Sequence, residues 1–153
     1  MSLTVQVPVL PPTAPQVIDK LVTVQTAMMG EEQVPIYTEH LIHGGMYSRT
    51  ITMPPDVRLM GALIKIPTTV IVVGTAKVLL GAEWVEVSGY AVLPASANRK
   101  QVFRSIGPVI ITMMFPTQAQ TVEEAEREFT DEAGILLSRR QEEMNAVRIT
   151  GER

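Results

Sequence analysis

The spacing of hydrophobic residues predicts one helix near the start of the chain. Residues 14–29 carry apolar side chains at i, i+4, i+7 and i+11, which places them on a single helical face. These side chains are Val17, Leu21, Val24 and Met28. Pro15 suits a first helical turn, and Gly30 follows the last apolar residue. We therefore expect a helix from about 15 to 29.

From Tyr37 onward the pattern changes to short runs of strand type that end at Pro or Gly. The predicted runs are Met46–Met53, Leu59–Ile66, Val70–Val73, Lys77–Leu80, Trp84–Val87, Tyr90–Leu93, Gln101–Ser105 and Val109–Phe115. Gly74-Thr75 and Gly107-Pro108 are predicted as turns between runs. No helical segment separates the runs, which disfavours a parallel α/β sheet. A mainly β sandwich or barrel of the jelly-roll type fits best.

Two capping boxes predict helices in the C-terminal part. Thr121-Val-Glu-Glu124 predicts a helix from about 122 to 129. Ser138-Arg-Arg-Gln141 is a weaker box and predicts a helix that continues to about Val147. We therefore expect three regions. They are a Pro-rich arm and amphipathic helix (1–36), a β body (37–117) and an acidic helical tail (118–153).

Length and composition favour one soluble domain. The chain has 153 residues, 46% of them hydrophobic, and no cysteine that could form a disulfide or bind a metal. No run approaches the roughly 20 apolar residues that a membrane helix needs. The net charge is −3, with acidic ends around a mildly basic β body. The bases are scattered, which disfavours nucleic-acid binding, while acidic ends could contact the basic body of a neighbouring subunit.

Candidate functional residues are few. Between Gly44 and Pro116 there is no His or Cys, and we find no nucleophile elbow or phosphate-binding loop. The alternation of the first body strand predicts that Tyr47 and Arg49 share one face. Residues that could line a pocket or an interface are His40, Tyr47, Arg49, Lys65 and Arg104. Packing or hydrogen bonding inside the core is the plainer interpretation of His40.

Two further patterns concern anions and subunit contacts. Arg99, Lys100 and Arg104 could form an anion site, with a solvated loop as the plainer alternative. The run Val109–Phe115 is apolar on both strand faces apart from Thr112, so it needs cover on both sides. A second copy of the chain could supply that cover, and we expect a homo-oligomer.

The segment from Glu39-His40 through Gly44-Gly45-Met46-Tyr47-Ser48-Arg49 to Gly61-Ala62-Leu63-Ile64-Lys65 resembles small cupin-like proteins (RmlC-type jelly rolls) of tailed bacteriophages and prophages. The resemblance extends over about residues 15–130. It implies a double-stranded β-helix, usually in an oligomer. Metal-binding relatives carry His or Glu ligands near the positions of Ile64, Thr68 and Arg104 here. Because these residues are poor ligands, we expect no metal or other cofactor and no catalytic residue.

Two functions follow as hypotheses. The first is a non-enzymatic structural or assembly protein of a bacteriophage virion, such as a capsid-decoration or tail-associated component. It would contact itself and other virion proteins, and would be found in the virion or the host cytoplasm. The alternative is a metal-free cupin that binds or modifies a small molecule, such as a sugar, inside the barrel. Tyr47, Arg49, Lys65 and Arg104 would be its polar lining. A regulatory or host-interaction role is a third possibility.

Overall fold

A computed structural model describes residues 9–153. Eight strands form one mixed sheet in which all pairs are antiparallel except β1 with β8. The strands are β1 (Tyr37–His43), β2 (Met46–Met53), β3 (Arg58–Met60), β4 (Thr68–Leu80), β5 (Glu83–Val87), β6 (Tyr90–Ala95), β7 (Val102–Pro116) and β8 (Asn145–Ile149). Their order is β5-β4-β7-β2-β1-β8, while β3 pairs with β7 and β6 pairs with β4. The expected mainly β fold class is confirmed.

Over residues 9–153, three α-helices accompany the sheet: α1 (Pro15–Met29), α2 (Val122–Phe129) and α3 (Leu137–Arg140). The predicted bounds of α1 and α2 are confirmed. The Thr121 hydroxyl accepts a hydrogen bond from the Glu124 amide, as a helix N-cap should. Within residues 9–153, no helix combines the length and the apolar character needed to cross a membrane.

The two long central strands correct the prediction of four short ones. Gly74 is a bulge inside β4 rather than a turn, and it lies beside Pro108 of β7. Its φ of +113° suits glycine, and a Cβ there would lie 2.4 Å from the Pro108 carbonyl oxygen. Pro108 lacks an amide donor, so it can sit in a central strand only where the ladder is irregular. The predicted turn at Gly107-Pro108 is therefore wrong.

The predicted strand Leu59–Ile66 is also shorter in the structure. Strand β3 ends at Met60, and the chain beyond it makes single hydrogen bonds with other elements. The Ile64 amide donates to the Arg99 carbonyl at 2.8 Å, and the Lys65 amide donates to the Phe129 carbonyl at 2.8 Å. Because these partners lie on different elements, residues 61–66 form no regular ladder.

The C-terminal segment joins the sheet instead of forming a second long helix. Helix α3 ends at Arg140, and residues 145–149 run parallel to β1 as β8. The open edge of β1 offers backbone partners, and Val147 and Ile149 favour strand over helix. The predicted helix to Val147 is therefore wrong.

The start of the described chain is attached to the body. The amide of Leu10 donates to the Pro94 carbonyl, and the Leu10 carbonyl accepts from the Ser96 amide. The Leu10 side chain is buried in the main hydrophobic cluster. Residues 1–8 of the predicted Pro-rich arm lie outside the described residues. The chain is therefore attached to its own β body at Leu10.

Candidate functional site

The structure brings together only three of the five predicted pocket residues. His40, Tyr47 and Arg49 lie side by side in the interior. Lys65 is partly exposed and pairs with Asp131, with 2.7 Å between Nζ and Oδ1. Arg104 is exposed and pairs with Asp56 at 3.3 Å, so it cannot join them. Because each of these two pairs lies at the surface, neither Lys65 nor Arg104 lines a common pocket with Tyr47.

The β1–β2 hairpin explains why these three side chains meet. Tyr47 and Arg49 are two residues apart on β2 and are both buried on one face, which confirms the predicted alternation. His40 lies opposite Arg49 in the antiparallel register. A tight turn at Gly44-Gly45, where both glycines have positive φ, sets this register.

A buried carboxylate on α2 completes the group. Glu126 is 1% exposed and accepts from Arg49 Nη1 at 3.2 Å and from Arg139 Nε at 2.7 Å. The Ser138 hydroxyl also donates to it. Burial alone would raise the pKa of Glu126, but the hydrogen bonds from Ser138 and Arg139 and the charge of Arg49 lower it below its ordinary value. Glu126 is therefore an anion at neutral pH, and its two oxygens accept three hydrogen bonds.

His40 has a defined neutral tautomer. Its Nε2 lies 2.9 Å from the Asn145 side-chain oxygen, and its Nδ1 lies 2.8 Å from the Tyr47 hydroxyl. Asn145 donates its amide nitrogen to the Ser138 carbonyl, so its oxygen faces His40. An amide oxygen only accepts, so Nε2 carries the proton and the Tyr47 hydroxyl donates to Nδ1. Burial lowers the pKa of His40, against a smaller opposite effect of the Asn145 hydrogen bond.

We call these side chains the polar network: His40, Tyr47, Arg49, Glu126, Ser138, Arg139 and Asn145. The network joins the β1–β2 hairpin to α2, α3 and β8. Its central groups are buried, and their hydrogen-bonding atoms have partners within the chain. This arrangement suits a structural link between elements better than a catalytic centre, because a catalytic centre needs room for a substrate.

A cavity lies beside the polar network, on the inner face of the sheet. Its volume is about 200 Å³. Arg49, Met113 and Val70 stand side by side along one of its walls, because Arg49 pairs with Met113 and Met113 pairs with Val70 across the strands. Helix α1 contributes Gln25 and Met28 to the lining. We call this space the central cavity.

Among residues 9–153, two buried polar side-chain atoms on residues that line the central cavity lack a hydrogen-bond partner. They are Nε of Arg99 and Oε1 of Gln101. Arg99 is 2% exposed and Gln101 is 7% exposed. The residues are two apart in an extended segment, which explains why both side chains reach the same space. A buried polar group without a partner is costly, so these atoms point to a missing ligand or to water.

The guanidinium of Arg99 is held in place by neutral oxygens. Its Nη1 donates to the carbonyls of Ser96 at 2.7 Å and Ile66 at 3.4 Å, and its Nη2 donates to the Thr68 hydroxyl at 2.6 Å. Burial lowers the pKa of Arg99 to about 10. The side chain is still a cation at neutral pH and is fixed before any ligand arrives.

The other residues of the predicted anion site do not join Arg99. Lys100 faces the opposite side of its segment, where Nζ donates to the Gly61 carbonyl at 3.0 Å and lies 3.6 Å from Glu132. Arg104 is at the surface with Asp56. The three bases therefore form no common cluster.

A metal ion, which a cupin resemblance would imply, does not fit the donors of the central cavity. Its described lining contains four arginines and no His, Cys, Asp or Glu. Ile64 offers no ligand atom, the Thr68 hydroxyl already accepts from Arg99, and Arg104 is paired elsewhere. Over residues 9–153, no three His, Cys, Asp or Glu side chains converge as metal ligands would. The lining suits an anion or a neutral organic molecule better than a divalent cation.

One sequence pattern could have indicated this cavity, although the predicted strand begins only at Gln101. Arg99, Gln101 and Phe103 alternate and all line the cavity, as one face of an extended segment would. Gln101 has no charge, so a search for catalytic or metal-binding residues passes over it. Glu126 could not be assigned to Arg49 because 77 residues separate them.

Comparisons with known proteins find only distant structural similarity. No protein-family model and no curated protein matches the chain. KdgF from a Halomonas species has 13% identity and a TM-score of 0.47, covering 57% of this chain and 86% of its own. The cupin domain of Schizosaccharomyces pombe Cnp3 has 14% identity and a TM-score of 0.46, covering 68% and 74%.

A cupin superfamily protein from Desulfitobacterium hafniense has 10% identity and a TM-score of 0.47, covering 74% of this chain and all of its own. At such low identities and TM-scores below 0.5, these three structures support no conclusion about the family, ligand or partners of the chain.

Proposed function

We propose that the protein binds a small organic molecule in the central cavity, without a metal ion. One observation supports this proposal: two residues that line the cavity, Arg99 and Gln101, each have a buried polar side-chain atom without a partner among the described residues. A volume of about 200 Å³ exceeds the roughly 150 Å³ of an engineered apolar cavity that binds benzene. A molecule with one ring therefore has enough space.

The rest of the lining is mostly apolar and includes Ile51, Phe103 and Ile111. Such walls favour a ligand with an apolar body over a neutral sugar, whose many hydroxyls would lose their water without replacement. We propose binding without catalysis, because the polar atoms of the cavity offer no paired acid and base.

Nuclear magnetic resonance titration of the whole chain with 2-phenylethanol and phenylacetate tests this function. We expect saturable shifts of the amide signals of Gln101, Phe103 and Met113 with at least one probe. Residues of β8, such as Val147, serve as an internal control and should not shift. If neither probe moves the cavity signals at millimolar concentration, the proposal is wrong.

A second candidate function, subunit contact, is favoured by the outer face of the sheet. Val73 pairs with Ile110 on β7 and with Tyr90 on β6, and all three are exposed. The adjacent row contains Ile71 and Val92. These five side chains are uncharged, so their occupant should be apolar at the contact. We propose that a second copy of the chain, bringing the same rows, covers this face.

Membership of a bacteriophage particle is a narrower form of the second candidate. It is supported by the sequence resemblance through Gly44–Arg49 and by the exposed apolar rows. Mass spectrometry of purified particles tests it: we expect the protein in fixed proportion to the other virion components. Particles without any copy of the chain would contradict a virion role and would leave self-association to be judged separately.

A further inference from the structure

The cation of Arg99 has no counter-ion in the chain. Among residues 9–153, Asp and Glu side chains make no ion pair with it, and residues 1–8 contain no acid at all. Neutral oxygens accept hydrogen bonds from both of its terminal nitrogens, while Nε is buried without a partner among the described residues. A buried charge without an opposite charge is unfavourable, and an anion placed at Nε would relieve this cost.

The charged residues around the cavity also favour an anionic ligand. Arg49, Arg58 and Arg140 also line it, and no acidic side chain of the described residues does. Arg49 is already paired with Glu126, so Arg99 is the buried cation available to a ligand. The charged side chains that line the cavity are therefore all cationic, which favours an anion over a cation as the ligand.

Gln101 adds a second requirement. Its Oε1 accepts hydrogen bonds only, so the matching ligand atom must be a donor such as a hydroxyl or an amine. The surrounding walls of Val70, Phe103 and Ile111 require an apolar body. A ligand that satisfies all three features has a carboxylate, a nearby donor and a small apolar group.

We infer that the central cavity binds a small apolar carboxylic acid with a hydroxyl or amino substituent, its carboxylate on Arg99 and its donor on Gln101. This inference rests on the proposed small-molecule function and gives it a ligand class. The carboxylate forms a charge-assisted hydrogen bond with Nε, which is stronger than one between neutral groups. Because the guanidinium is already oriented by Ser96 and Thr68, little ordering is needed on binding.

Isothermal titration calorimetry of the whole chain tests the inference with three probes of similar size. Phenylacetate carries the carboxylate, 2-phenylethanol replaces it by a neutral alcohol, and mandelate adds a hydroxyl to the acid. We expect phenylacetate to bind about ten- to a hundredfold more tightly than 2-phenylethanol, since a hydrogen bond to a charged group is the stronger one. Mandelate should bind more tightly still.

Matched variants assign the two contacts. Arg99→Met removes the charge at similar length and should abolish the preference for phenylacetate while 2-phenylethanol still binds. Arg104→Met removes the same charge at the surface and should leave the preference intact. Gln101→Met should remove the advantage of mandelate over phenylacetate. Arg99→Lys restores the charge and should recover part of the preference if Arg99→Met does not fold.

The outcomes separate the inference from the function on which it rests. Equal affinity of the wild-type chain for phenylacetate and 2-phenylethanol overturns the carboxylate class and leaves small-molecule binding intact. An unchanged preference in Arg99→Met overturns the assignment to Arg99. No binding of any of the three probes at millimolar concentration overturns both the inference and the proposed function.

Discussion

Arg49 and Glu126 illustrate how one buried pair can hold several elements together. Arg49 belongs to β2 and Glu126 to α2, and both are buried with 3.2 Å between Nη1 and Oε2. The Arg49 guanidinium also lies 5.8 Å from the centre of the Phe129 ring. Leaving one charge of a buried pair without its partner is costly, whereas exposed pairs contribute little.

We therefore expect Arg49→Met to lower the free energy of unfolding by about 3 kcal/mol, near the lower end for a broken buried pair because Arg139 still contacts Glu126. Arg104→Met is the control, since it breaks an exposed pair with Asp56. It should cost less than about 1 kcal/mol. Urea unfolding followed by circular dichroism measures both. Equal costs for the two variants would show that the polar network contributes no special stability.

His40 makes stability depend on pH. Burial lowers its pKa in the folded chain, so the unfolded chain binds this proton more readily. Stability from His40 is therefore complete above the ordinary His pKa of about 6.5 and decreases as the pH falls below it, by at most about 1.4 kcal/mol per pH unit. Glu126 acts in a different range, because its lowered pKa costs stability only below the ordinary pKa of a carboxylate.

Urea unfolding of the wild type and of His40→Gln at pH 7.5 and pH 5.5 checks this dependence. Glutamine can donate and accept hydrogen bonds but does not titrate in this range. We expect the wild type to lose more stability than the variant between the two pH values. The same loss in both proteins would assign the pH dependence to other groups.

Local sequence signals explain which elements could be predicted. Helix α1 and strand β2 follow from residue spacing within about 15 positions, and the N-cap of α2 depends on Thr121 and its next three residues. The continuity of β4 and β7 could not be predicted, because Gly74 and Pro108 look like turn residues until they are seen to face each other. The same limit applies to β8, whose partner β1 lies about a hundred residues away.

In the candidate site, too, local features could be predicted from the sequence and contacts between distant elements could not. The shared face of Tyr47 and Arg49 follows from strand alternation, and the structure confirms it. The pairing of Arg49 with Glu126 and the cavity formed by Arg99 and Gln101 depend on contacts between distant elements. Lys65 and Arg104 were expected near them because basic residues are candidate ligand contacts, yet each has an acid beside it at the surface.

Helix α1 is loosely packed against the other elements around the cavity. None of its residues is buried, and Gln25 approaches the Met60 and Gly61 carbonyls only at 3.4 and 3.5 Å. Elements with few buried contacts open locally at a lower free energy than the core. We expect amide hydrogen exchange in α1 to be much faster than in β7, and saturating phenylacetate to slow it because Gln25 and Met28 line the cavity.

Hydrogen-exchange mass spectrometry of the free and ligand-saturated chain measures this effect. Strand β7 is the internal reference, because it pairs on both sides and should change little. Protection of α1 equal to that of β7 in the free protein would contradict the expected loose packing. A ligand effect absent from α1 would place the bound molecule away from this helix.

The proposed subunit contact lies on the outer face of the sheet and can be tested at one residue. Val73 is 39% exposed at the centre of an apolar row with Ile110 and Tyr90. Its neighbour Val72 is fully buried on the inner face, so a change at Val73 leaves the core and the central cavity untouched. A lysine at Val73 would place a charge within any contact between two such faces, and burying it without a partner is unfavourable.

We therefore expect the wild-type chain to form a dimer or larger oligomer at about 100 µM, which is well above the dissociation constants of stable homo-oligomers. Val73→Lys should shift it toward the monomer. Val147→Lys introduces the same charge on β8, where the side chain is 55% exposed, and should leave the assembly unchanged. Light scattering during size-exclusion chromatography gives the masses. A monomeric wild type, or equal dissociation by both variants, would exclude this face as the subunit contact while leaving the cavity and its ligand to be tested separately.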